Sequence, residues 1–147
     1  KQLIEQAQNA FASRIHSTQL NIEINIGEQF TIRGEQFLLQ QAVANLLDNA
    51  IDFTPDGGTI RINASGTEEQ INIVIFNQGD LIPEFALPRL TERFYSLPRP
   101  GTGRKSTGLG LNFVKEVAEL HNGSLSVVNT DNGVEVTLKL SSSPVIP

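Results

Sequence analysis

A chain of 147 residues with a net charge of −5 suits one acidic domain, large enough to bury roughly 70% of its unfolded surface. It holds no cysteine, which excludes disulfides and thiolate metal sites, and its acidic balance argues against a general nucleic-acid binder. No apolar run approaches the ~18 residues of a membrane span and no signal peptide opens the chain, which starts at Lys1 and reads as an excised piece.

Leu3, Ala7, Phe11 and Ile15 recur every four residues and predict an amphipathic helix. Leu20, Ile22, Ile24 and Ile26 then alternate with polar residues, the period of a half-buried strand. Phe30 to Arg33 is a short second strand that can pair with the first across the turn at Gly27. From about Glu35 to Phe53 the helical period returns, with Leu39, Val43, Leu46, Leu47 and Ala50 on its apolar face. Thr54-Pro-Asp-Gly-Gly58 ends it with turn chemistry, and Thr59–Ser65 and Gln70–Asn77 form a hairpin.

A helix of about eight residues is expected after Pro83. Residues 96–107 carry two Pro, two Gly and three basic residues and predict a loop that orders on demand. Leu109 to His121 is helical, with Phe113, Val114, Val117 and Ala118 inward. Two strands close the chain, marked by Leu125 and Val127 and then by Val134, Val136, Leu138 and Leu140. Residues 142–147 read as a flexible tail, leaving 1–141 as the domain. Roughly four helices and six or seven strands, paired mostly in sequence, predict an α+β fold: a two-layer sandwich of one mixed sheet with helices on one face.

Three clusters carry candidate chemistry. Asn45, Asp48, Asn49 and Asp52 form one polar stripe on the long helix. Asparagine oxygens are neutral ligands suited to a hard cation that shares its charge with phosphates, although a solvated helix face looks the same. Asn77-Gln78-Gly79-Asp80-Leu81-Ile82-Pro83 follows a strand, so that a short polar side chain and then a glycine allow a planar ligand close to the backbone. An ordinary strand-to-helix turn is the other reading. Gly101–Leu111 is a basic, glycine-containing loop running into a helix N-terminus, where exposed N–H groups and the helix dipole favour phosphate.

In order and spacing these clusters resemble sensor histidine kinases. Asn45-Leu-Leu-Asp-Asn49-Ala resembles their N box, Asn77 to Pro83 the G1 box, Glu92-Arg93-Phe94-Tyr95 the F box, and Thr107-Gly108-Leu109-Gly110-Leu111 the G2 box. His121-Asn-Gly123 and Asn132-Gly133-Val-Glu-Val-Thr resemble the closing segments, and Arg93 to Arg99 is similar to the CreC-like branch. The resemblance implies the Bergerat ATP-binding sandwich and a catalytic domain that binds ATP and Mg²⁺. It would donate the γ-phosphate to a histidine on a separate phosphoacceptor domain, for transfer to a cognate response regulator. It also implies a cytoplasmic domain of an inner-membrane sensor kinase, with neither nucleic acid nor the membrane touched by these residues.

Carried over residue by residue, the resemblance makes Asn45 and Asn49 the catalytic pair, with Asn49 the Mg²⁺ ligand. Asn77 sits at the adenine, and Gly79 lets the purine lie against backbone. Asp52, Ile82, Arg99, Lys105, Ser106, Thr107, Gly108, Leu109, Gly110 and Leu111 complete the ATP-binding set. Phe94 and Tyr95 contact the histidine-bearing domain. The pattern has departures. Asn77 stands where the G1 box has Asp, which implies a loss of about 1 kcal/mol, or fivefold, in nucleotide binding. Leu81 and Ser106 replace glycines, Asp52 replaces a basic residue, and Ser96 stands where an arginine often follows the aromatic pair. A nucleotide-free scaffold and a serine kinase of the anti-sigma-factor type remain the alternatives. A gyrase-type ATPase would need a glutamate at Asn45 as general base, and an amide cannot take that proton. His16 has no acidic neighbour and reads as a helix-end surface residue, and His121, ending a helix before Asn122-Gly123, reads as structural.

Overall fold

The computed structural model describes residues 2–27, 36–66, 70–92 and 110–141. The first helical segment is two helices, α1 (Gln2–Ala10) and α2 (Ala12–Ser17), broken at Phe11 with φ −107° and ψ 13°. The four-residue period explains the break. A straight helix turns about 400° in four residues, so a stripe repeating every four drifts by roughly 40° each time. The bend re-aims the chain, and Phe11 and Ile15 still pack on the core beside buried Ile4 and Ala7. The side chain of Leu3 lies outside the described ones.

Strand β1 (Asn21–Ile26) follows, and the expected strand at 30–33 lies outside the described residues. Helix α3 spans Gln36–Phe53. Leu39, Val43, Leu46, Leu47 and Ala50 are all buried on its inner face, joined by Ala42 and Ile51. The hairpin forms as β2 (Thr59–Gly66) and β3 (Gln70–Gln78).

The eight-residue helix expected after Pro83 does not form. The described chain there makes turns and a three-residue 3-10 helix, Leu87–Arg89. Its bonds mostly span three residues: Ala86 N to Pro83 O at 2.9 Å, Arg89 N to Ala86 O at 2.9 Å and Glu92 N to Arg89 O at 3.0 Å. Pro88 has no N–H to donate, and its ring would crowd the carbonyl four residues earlier, so an α-helix cannot run through it. Helix α4 (Gly110–Leu120) buries Val114, Val117 and Ala118, with Phe113 half-buried beside them. Strands β4 (Ser124–Asn129) and β5 (Gly133–Ser141) complete the described chain.

The five strands form one sheet in the order β1-β2-β3-β5-β4. β1 runs parallel to β2, and every other pair is antiparallel. This is the mixed sheet of an α+β sandwich. Because side chains alternate across a strand, the register sorts residues by face. Ile71, Ile73 and Ile75 of β3 meet Leu140, Leu138 and Val136 of β5 on the face covered by α1, α3 and α4. On the opposite face Glu23, Arg61, Phe76 and Glu135 form a cross-strand row. Phe76 is nonetheless buried there. The Arg61 guanidinium lies 5.1 Å from its ring centroid and is held by Glu23 at 2.8 Å.

Candidate functional site

β3 brings the first candidate residue into place. Ile71, Ile73, Ile75 and Asn77 occupy alternate positions, so Asn77 continues the apolar phase and points toward the helices. It is only 6% exposed, and its Nδ2 is buried without a hydrogen-bond partner. Buried polar atoms are nearly always satisfied, and an orphaned donor costs roughly 1–3 kcal/mol. The amide at the end of this core strand thus keeps an unused capacity to donate a hydrogen bond.

The register places Asn77 opposite Val134, and Val134 opposite Asn129, so the two asparagines share one row on the covered face. Asn129 grips the chain after Gly79 at two points. Its Oδ1 accepts from Ile82 N at 2.9 Å, and its Nδ2 donates to Ile82 O at 2.8 Å. That clamp fixes Ile82, half-buried, on the same side of the sheet. Sequence reasoning missed Asn129, although a signal existed: it continues the apolar phase of Leu125 and Val127 as Asn77 continues that of Ile75.

Gly79 turns the backbone between these points, with φ +149° and its N–H donating to Asn132 O at 3.1 Å. A Cβ there would lie 2.8 Å from Phe53 O and 3.3 Å from Pro55 Cδ. The glycine thus lets the strand end close against the C-terminus of α3. Gly133 allows the neighbouring approach, since a Cβ on it would reach 2.1 Å from Asn77 O.

On α3, the single polar stripe expected from the sequence divides in two. Asp48 and Asp52 both engage Arg14 of α2. Nη1 lies 2.5 Å from the Asp48 carboxylate, and Nη2 bonds Asp52. The Arg14 guanidinium also sits 5.4 Å from the Phe11 ring centroid. Burial opposes its charge, but the hydrogen bond to Asp48 and the charges of both carboxylates outweigh that and raise its pKa. Asp52, expected in the ATP-binding set in place of a basic residue, is thus held by a cation from another element. Asn45 and Asn49 lie on the adjacent arc of the helix, half-buried, with Asn45 Oδ1 accepting from Gln41 Nε2 at 3.4 Å. Among the described residues no three His, Cys, Asp or Glu side chains converge as a metal site. The oxygens on this arc are neutral amides, the donor type suited to a Mg²⁺ that keeps water and phosphate ligands.

Gly110 opens α4, and a Cβ there would meet nothing within 4 Å, so packing among the described residues does not require a glycine. Leu111 packs against the core. Asn112, also missed from the sequence, donates from Nδ2 to Thr91 O at 2.9 Å and ties α4 to the segment that precedes residue 93. Phe94, Tyr95, Arg99, Lys105, Ser106, Thr107, Gly108 and Leu109 lie outside the described residues. Exposed His16 ends near the tip of α2. His121 is buried with Nδ1 2.8 Å from Val117 O, a structural arrangement.

A model of the family described as histidine kinase-, DNA gyrase B-, and HSP90-like ATPase matches residues 34–144. The sensor protein CreC of Escherichia coli (strain K12) is 48% identical over 113 residues, covering 76% of this chain and 24% of the relative. The sensor histidine kinase SpaK of Bacillus subtilis is 36% identical over 104 residues, 70% of this chain and 23% of that one. The chain thus spans about a quarter of the length of the curated relatives it matches. Among solved structures, the nucleotide-free catalytic domain of histidine kinase ThkA superposes with a TM-score of 0.87 at 23% identity, covering 97% of this chain and 94% of that one.

Proposed function

Since the chain belongs to the histidine kinase-, DNA gyrase B-, and HSP90-like ATPase family, we propose that it serves as the ATP-binding catalytic domain of a sensor histidine kinase. The single observation that carries the reading is the orphaned Nδ2 of Asn77, buried two strands away from the row-mate Asn129 that pins Ile82. The Asn77 amide can donate from Nδ2 to a purine ring nitrogen or, turned over, accept from an exocyclic amine through Oδ1. Gly79 keeps the backbone beside it bare, and Ile82 offers an apolar contact. Asn49, with Asn45 one turn earlier, would hold Mg²⁺. Gly110 would leave backbone N–H groups at the start of α4 open to phosphate oxygens. When bound, Mg·ATP supplies the γ-phosphoryl group and the charge that offsets the phosphates.

Asn45 lacks the basicity to activate water, so these residues favour transfer to an external acceptor over hydrolysis. The acceptor we propose is a histidine on a separate domain, because neither exposed His16 nor buried His121 is followed by an acidic residue. A response regulator as the next recipient is supported by the sensor kinase relatives. We also propose a place on the cytoplasmic side of an inner-membrane kinase. No helix among the described residues is long and apolar enough to cross a membrane. Calorimetric titration with ADP and a non-hydrolysable ATP analogue, with and without Mg²⁺, tests the reading. Binding at roughly 10–500 μM, strengthened by Mg²⁺ and lost in Asn49→Ala, is expected. Silence from a folded chain would leave a scaffold that acts through contacts alone.

A further inference from the structure

We propose that Arg14 is a positioning residue for nucleotide binding: by neutralising Asp48 and Asp52 it keeps repulsive charge away from phosphates held at Asn45 and Asn49. The inference rests on the ATP-binding reading and extends it to a residue outside every motif of the site.

At about 100° per residue, Asn45, Asp48, Asn49 and Asp52 fall within an arc of roughly 100° on α3. Neighbours three and four apart on a helix have Cβ atoms about 5–6 Å from each other, so both carboxylates stand within one turn of the amide pair. Left bare, they would oppose a polyphosphate over a distance at which charges near a protein surface still interact strongly. Arg14 reaches across from α2 and bonds both carboxylates, one with each Nη. The Phe11 ring beneath it restricts the guanidinium further. No lysine can bond two carboxylates through a planar fork in this way. The bend at Phe11 matters as well, because it directs α2, and Arg14 with it, toward the α3 stripe.

The full chain is compared as four proteins: unaltered, Arg14→Gln, Asp48→Asn with Asp52→Asn, and the triple variant. Affinity for ADP and a non-hydrolysable ATP analogue is read calorimetrically with Mg²⁺, beside thermal unfolding without nucleotide. Arg14→Gln should weaken binding about tenfold. The triple variant, which has no ion pair at all, should recover to within about twofold of the unaltered chain. The double variant should bind at least as tightly as the unaltered chain; weaker binding by this variant, when folded, overturns the proposal even if Arg14→Gln does not fold. Unchanged affinity in a folded Arg14→Gln overturns the proposal while leaving the ATP-binding reading intact. So does failure of the triple variant to recover, which would mean that Arg14 touches phosphate itself or merely holds α2. Absence of binding by the unaltered chain would overturn the ATP-binding reading and this proposal with it.

Discussion

Replacing Asn77 with leucine should move stability and binding in opposite directions. The Asn77 Nδ2 is buried with no acceptor, on a side chain 6% exposed between Ile60 and Val134 of the flanking strands. An orphaned donor of this kind costs roughly 1–3 kcal/mol, and an apolar group of similar volume removes that cost. Some of the gain is lost to imperfect packing of the branched chain, so a net stabilisation of about 1 kcal/mol is expected. For a domain near this size that raises Tm by about 2–4 °C. The same change deletes the polar group proposed to read the ligand and should weaken ADP binding at least tenfold, about 1.4 kcal/mol. Scanning calorimetry without nucleotide and titration with ADP measure the two halves. A fall in Tm of more than about 2 °C would mean that the amide is already satisfied in the empty protein. Unchanged affinity would mean that Asn77 does not face the nucleotide. Either result refutes the reasoning from its orphaned donor.

Two further outcomes follow from neighbouring geometry. Asn129→Ala removes both bonds to Ile82 and should cost roughly 1–2 kcal/mol of stability, measurable by urea unfolding, with faster amide exchange at Ile82. Gly79→Ala puts a Cβ 2.8 Å from Phe53 O on a residue with φ +149° and should destabilise by about 2 kcal/mol or more, read as a lowered Tm.

Most strands were legible because apolar alternation is a local property. Leu20 to Ile26, Ile60 to Ala64 and Val134 to Leu140 declare a buried face by spacing alone. The long helix was legible for the same reason, its apolar residues recurring at intervals of three and four. The segment after Pro83 was misread because Ala86, Leu87 and Leu90 suggest a helix while Pro88 forbids one. The parallel pairing of β1 with β2 was not foreseen, since the partners are nearly forty residues apart and joined through α3. The polar stripe was found, but its division was not: nothing local to Asp48 or Asp52 signals that Arg14, on another helix, will hold them. The clamp from Asn129 escaped for a similar reason, although its phase along β4 marked it as a polar residue on an apolar face.

The placement of β5 has a consequence for biogenesis. The last described strand to leave the ribosome is inserted between β3 and β4, and its Val134 separates Asn77 from Asn129 in the row beneath the site. Until residue 141 has emerged, β3 has an open edge and β4 has no partner, so the earlier hairpin exposes unpaired backbone during synthesis. Nucleotide cannot assist the nascent chain before that closure. Ligand-dependent protection from proteolysis would therefore appear only after residue 141 has emerged, as a single event.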